Sequence, residues 1–140
     1  MSKLAGLNRL SQRLLQGASG PLVLMYHGIE VDECVAEQHP WSVSYAQFCA
    51  HLDVLQAFGW QTCLASALVN PSQLPARSII ITFDDGYANN FIAAQALAQR
   101  SMVATWFIVS DTVGQQVSWA SEFFHGEPML THAQLLQMQQ

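Results

Sequence analysis

Two neighbouring aspartates, Asp84 and Asp85, close the uninterrupted run Ser78-Ile79-Ile80-Ile81-Thr82-Phe83 and are followed by Gly86. Paired carboxylates can take up a proton or hold a cation, and hydrolysis uses both abilities: a metal polarises water and a carbonyl while a base removes the proton. Successive side chains of a strand point to opposite faces. Two adjacent aspartates therefore serve one site only if the backbone turns between or after them. Gly86 permits that turn, because glycine tolerates positive φ. Such a bend aims one carboxylate at a cation and leaves the other as a base about one water away. Asp-Asp-Gly is also ordinary turn chemistry, and spacing alone leaves both readings open. Two like charges on one rim, about 4–6 Å apart, favour a cation between them. His27, just after the apolar run Leu22-Val23-Leu24-Met25-Tyr26, is a candidate neighbour of the pair. It reads equally as a packed, hydrogen-bonded imidazole.

The elements that must position these residues are readable from pattern. Leu22–Tyr26 predicts a short strand buried on both faces, and residues 78–83 a second, β-branched one. Residues 30–42 carry four acids and predict a long, solvated loop. Ser44 with Gln47 forms a capping-box pattern opening a helix whose Tyr45, Phe48, Leu52 and Leu55 make one apolar stripe, stopped at Gly59. A short strand is expected at 60–64, a helix from about Asn89 to Arg100 with Phe91, Ala94 and Leu97 inward, and a strand over 102–109. Strand, helix and strand within about 30 residues is a βαβ unit, and ligands of parallel sheets gather at the carboxyl ends of the strands, where Asp84 and Asp85 fall. Residues 110–130 predict loop. Thr131 with Gln134 caps a last helix that turns Leu135 and Met138 inward.

The chain has 140 residues, 51% apolar and 11% charged, enough for one domain and too apolar for disorder. A net charge of −5, with three of five basic residues in the first 13 positions, argues against nucleic-acid binding. No apolar stretch is long enough for a membrane span. Cys34, Cys49 and Cys63 form no CxxC pair and read as reduced thiols. Residues 1–20 place Leu4, Leu7, Leu10 and Leu14 on one helical face, but Asn8, Arg9, Gln12 and Arg13 break any signal-peptide core. An amphipathic amino-terminal helix over 1–20 and a cytoplasmic location are the expectations.

Ile81-Thr82-Phe83-Asp84-Asp85-Gly86-Tyr87 resembles the first signature motif of the polysaccharide deacetylases, the family sharing the NodB homology domain (carbohydrate esterase family 4). Leu24-Met25-Tyr26-His27-Gly28-Ile29 is similar to the opening strand of its "YH" branch. Phe48, Leu52, Leu55 and Gly59 match its first helix, and Ala104–Val109 its "ATFF" strand. The resemblance covers roughly residues 21–140. It implies an α/β fold, part of a distorted (β/α) barrel of parallel strands. It implies Asp84 as general base, Asp85 as ligand of a divalent metal, usually zinc, and His27 at the substrate. The implied reaction is metal-assisted removal of N-acetyl groups from an acetylated polysaccharide or oligosaccharide.

The family's second motif, His-(Ser/Thr)-x-x-His, which supplies two further metal ligands, has no counterpart here. His132 lies within the preceding helix pattern and His125 in a loop, neither with a partner four residues on. A catalytic zinc takes three protein ligands, so the 140 residues are expected to be inactive alone, the amino-terminal portion of a deacetylase domain with an open barrel edge inviting self-association. Two other readings stand beside this one. One is a non-catalytic α/β remnant or interaction module. The other is a glycoside hydrolase with Asp111 as second acid, which needs two carboxylates about 5–9 Å apart across a scissile bond.

Overall fold

The computed structural model describes residues 20–117, 119 and 127–139; the expected helix over 1–20 and His125 lie outside them. Its centre is a parallel sheet of β1 (Leu22–Tyr26), β4 (Gln61–Cys63), β5 (Ser78–Phe83) and β6 (Thr105–Trp106). β5 is the middle strand. β1 runs along one edge in the register Leu22–Ile79 to Tyr26–Phe83. The other edge is shared, β4 pairing with Ser78–Ile80 and β6 with Thr82 and Phe83. With neighbours on both edges, all six residues of β5 are buried, as its unbroken isoleucine run predicts.

β1 differs from the two-face burial expected of it. Leu22, Leu24 and Tyr26 turn toward the core, whereas Val23 and Met25 are 53% and 59% exposed. As an outer strand whose sheet neighbour among the described residues is β5, it is covered there on one face only. That covered face packs on two helices, α2 (Tyr45–Ala57) and α3 (Asn90–Ala98), through Phe48, Leu52, Leu55, Ala93, Ala96 and Leu97. Burying these side chains is the main favourable term for the unit.

α2 begins at the predicted cap, with half of the expected capping box: Ser44 Oγ accepts from the Gln47 amide at 3.2 Å, and Gly59 sits at φ +68 just past the helix end. α3 is shorter than expected and rotated, with Ala93, Ala96 and Leu97 inward while Phe91 and Ala94 are half-buried. Small residues on the inner stripe let the helix sit close to the sheet, an arrangement that reading the larger side chains as core obscures.

The predicted loop over 30–42 is instead organised. β2 (Gly28–Glu30) pairs in parallel with β3 (Ser42–Ser44), enclosing α1 (Glu33–Gln38). Asp32 caps α1, accepting from the Cys34 amide at 2.7 Å, and Glu33 lies in its positive first turn. The acidic run thus supplies a helix start as well as a solvated surface.

The strand expected over 102–109 contracts to Thr105–Trp106. β4 already occupies the first half of that edge of β5. The preceding backbone is held by hydroxyls instead: Val103 N donates to Thr62 Oγ1 at 2.8 Å, and Thr105 Oγ1 accepts from Ala65 N at 2.9 Å. The expected βαβ unit is present as β5, α3 and β6. After a 3₁₀ turn at Ser110–Thr112 and two isolated antiparallel bridges, α4 (His132–Met138) starts at Thr131 with a complete capping box to Gln134. Leu135 and Met138 are half-buried there and Leu136 is 64% exposed. The described residues form an α/β unit of parallel strands with no closed barrel, consistent with part of one. Among them no helix is long and apolar enough to cross a membrane.

Candidate active site

The register of β1 on β5 decides where the candidate residues meet. Tyr26 pairs with Phe83, and the ladder runs one step further, Asp84 N donating to Tyr26 O at 3.0 Å. The next residues of the two strands are His27 and Asp84. They become neighbours at the carboxyl end of the sheet, with His27 Nε2 4.0 Å from Asp84 Oδ2. That separation is too long for a hydrogen bond and short enough for attraction when the imidazole is protonated. Both side chains are partly open to solvent, 22% and 31%.

Directly after Asp84 the backbone turns. Gly86 N donates to Asp84 O at 2.8 Å, a three-residue turn with Asp85 at its centre and φ +69 there. Aspartate tolerates this region better than most residues, but it is strained, at an order-of-magnitude cost of about 1–3 kcal/mol. Gly86 follows at φ +92, and a Cβ on it would lie 2.9 Å from Ile108 Cδ1. The surrounding chain fixes the turn: Val109 N donates to Asp85 O at 3.2 Å, and Leu130 N to Gly86 O at 2.9 Å. The bend required for two adjacent aspartates to share a site is therefore present, one residue earlier than the glycine that permits it.

The turn gives the two carboxylates different company. Asp84 lies beside His27, while Asp85 accepts from the Tyr87 hydroxyl. Burial pushes the Tyr87 hydroxyl up to about 12; the Asp85 charge and hydrogen bond add to this and a Trp119 hydrogen bond opposes it. Tyr87 is a protonated donor at neutral pH, orienting Asp85. Beneath the rim, Phe83 stacks on Trp106 (4.0 Å between ring centroids) and on Tyr26 (5.3 Å). Those rings hold rigid the strand ends from which His27 and Asp84 project.

Asp111 is not part of this centre. It lies exposed in the 3₁₀ turn, its carboxylate accepting from Ser110 Oγ at 3.2 Å. His132 is exposed at the start of α4, and the three cysteines are free thiols, Cys34 exposed and Cys49 and Cys63 half-buried. Among the described residues no group of three His, Cys, Asp or Glu side chains could hold a metal ion. Asp84, Asp85 and His27 thus do not by themselves fit a zinc centre.

Two participants escape sequence reasoning. Tyr87 closes the motif that carries the resemblance, but the sequence gives its hydroxyl no role. Asn89 gives its amide to Glu30 Oε1 at 2.7 Å and accepts from Ile29 N at 3.4 Å, tying the segment after the turn to β2.

No family model matches the chain. "Putative polysaccharide deacetylase YxkH" of Bacillus subtilis (strain 168) is 30% identical over 99 residues, 67% of this chain and 33% of the relative. The structure of IcaB from Ammonifex degensii superposes with a TM-score of 0.70 at 23% identity, over 86% of this chain and 48% of that one. A de-N-acetylase from Aggregatibacter actinomycetemcomitans gives 0.68 at 25% identity, over 84% and 50%. This chain is polysaccharide-deacetylase-like. It spans a third of the length of its curated relative and about half of each of these two solved chains. In this deacetylase-like unit the end of the "YH" strand and the first aspartate of the Asp-Asp-Gly motif stand at one rim.

Proposed function

We propose that this chain contributes the general base and one metal ligand of a carbohydrate de-N-acetylase, a hydrolase of the amide carbon–nitrogen bond in an acetylated polysaccharide or oligosaccharide. The observation that carries the reading is the strained turn at Asp85, which separates two adjacent carboxylates beside the imidazole of the first strand. In this reading Asp84 is the general base. It takes the proton of a water attacking the acetamide carbonyl, and His27 beside it contacts substrate or orders the carboxylate. Asp85, oriented by Tyr87, is the side chain proposed as one ligand of a divalent metal, zinc by the resemblance, whose other ligands are not among the described residues.

With so few donors, zinc-dependent deacetylation of chitooligosaccharide by these 140 residues alone is expected to be undetectable. The base itself is testable on an easier acyl group. An activated acetyl ester needs far less electrophilic help than an acetamide, and its hydrolysis at pH 7 is expected to fall about 10²-fold in Asp84→Asn, the scale of a lost general base. Equal rates in wild type and Asp84→Asn would refute the assignment.

The half-exposed Val23 and Met25 on an outer strand favour one addition to this reading. The uncovered face of this outer strand is a surface for self-association, read out as mass by sedimentation and lost in Val23→Lys.

A further inference from the structure

We propose that residues 4–15, which lie outside the described residues, close as an amphipathic helix over the sheet face that α2 and α3 leave open. The proposal is independent of the de-N-acetylase reading and names the occupant of an apolar surface. The strand registers define that surface. Val23 pairs with Ile80, Met25 with Thr82, and Thr82 with Thr105, so these side chains share the face opposite the helices. Phe107 joins them. Trp106 turns to the helix side, where it stacks on Phe83, so the residues before and after it point the other way. Ile80 and Thr82 form a buried floor, while Val23, Met25 and Phe107 stand 53%, 59% and 54% exposed on its two sides. Large apolar side chains gathered along one trough mark a surface that something covers.

The amino-terminal segment matches this trough in pattern, reach and charge. Leu4, Leu7, Leu10 and Leu14 recur at spacings of three and four, while Arg9 and Arg13 fall on the opposite face. A helix this short is marginal in water unless its apolar stripe is buried. Twelve helical residues are about 18 Å long and about 10 Å wide, and the strands β1, β5 and β6 together span about 10 Å. The chain enters β1 at Leu22. Residues 16–21 reach at most about 20 Å, enough to turn the segment back over the strand it precedes. Lys3, Arg9 and Arg13 give the segment its charge, and no acid comes before Glu30; residues 20–140 hold all ten acids and only Arg77 and Arg100 as basic residues. Opposite charge therefore adds to apolar contact, within the reach that salt allows. A second copy, which this face also suits, must displace the segment before it can associate.

The test reads the Met25 methyl by NMR in the full 140-residue chain, with a soluble gadolinium chelate as the probe of exposure, at a dilution where sedimentation shows monomer. Wild type is compared with Leu7→Gln/Leu14→Gln, and the Met102 methyl, packed against the core, reports whether the fold is intact. Relaxation of Met25 by the chelate is expected to be several-fold faster in the variant, and the variant is expected to self-associate at lower concentration than wild type. Wild type itself is expected to show Overhauser contacts between Met25 and methyls of the leucine stripe. Equal relaxation of Met25 in the two proteins would overturn the proposal. Protection of Met25 that appears only as wild type is concentrated would overturn it too, giving the face to a second copy. Should Met102 shift in the variant, absence of the Overhauser contacts in wild type overturns the proposal without it. None of these results bears on the de-N-acetylase reading.

Discussion

Replacing Gly86 by alanine tests the turn on which the arrangement of the aspartates depends. Two costs add. The alanine must adopt φ +92, a conformation that penalises an L-residue by about 1–2 kcal/mol. Its Cβ must also enter space 2.9 Å from Ile108 Cδ1 and 3.4 Å from Ile108 Cγ2, and overpacking of this kind costs about 1–3 kcal/mol. The sum is about 2–5 kcal/mol, or roughly 6–15 °C of Tm for a domain of this size. The two parts separate experimentally. Ile108→Val removes Cδ1, the atom in conflict, and alone costs about 0.5–1.5 kcal/mol. In the double variant the steric part is relieved and only the backbone part remains, so urea unfolding of all four proteins should show a coupling of at least about 1 kcal/mol between the sites. Gly86→Ala within about 0.5 kcal/mol of wild type, or strict additivity in the double variant, would refute the geometry of the turn.

Other expectations concern stability and pH. His51 accepts or donates at Nδ1 to the Tyr26 hydroxyl at 2.9 Å, and burial lowers its pKa. Since the unfolded chain takes up that proton first, stability is full above the ordinary histidine value and falls as pH drops through the folded one. Urea midpoints at pH 8 and pH 5.5 should diverge in wild type and converge in His51→Gln. Glu30 has the opposite sign. Burial raises its pKa, Glu127 adds to this, and His39 and the Asn89 amide oppose it. Its contribution is fullest below the unfolded pKa and is lost as pH rises through the folded one, so Glu30→Gln should stabilise the chain at pH 7 relative to pH 4, read as a difference in Tm between the two. Ser44→Ala removes the cap of α2 and should cost about 1 kcal/mol in urea unfolding.

Much of the fold was legible because local and long-range preferences agreed. The isoleucine run could only be a central strand, and Ser44, Gly59 and Thr131 mark helix ends by side-chain chemistry that needs no tertiary partner. The misreadings share one cause, competition for a sheet edge or a helix face. Residues 102–104 have the composition of a strand, but β4 holds the edge they would join. Phe91 reads as core because it is large, whereas α3 turns Ala93, Ala96 and Leu97 inward. At the site, Asp84, Asp85 and His27 were visible as types and spacings. The turn centred on Asp85 rather than on Gly86, and the Tyr87 hydroxyl that engages it, depend on hydrogen bonds from residues 109 and 130, which no local pattern announces.

The claim that Asp84 and Asp85 are divided into base and ligand is tested most directly by carbon-13 NMR of the aspartate carboxylates during a zinc titration of the 140-residue chain. The account predicts a weak shift at Asp85 that grows with zinc and stops short of saturation, as one ligand of an incomplete set gives; it disappears from the spectrum of Asp85→Ala and survives in Asp84→Asn. Zinc taken up at the free cysteines or at His132, with both carboxylates unmoved, would contradict it.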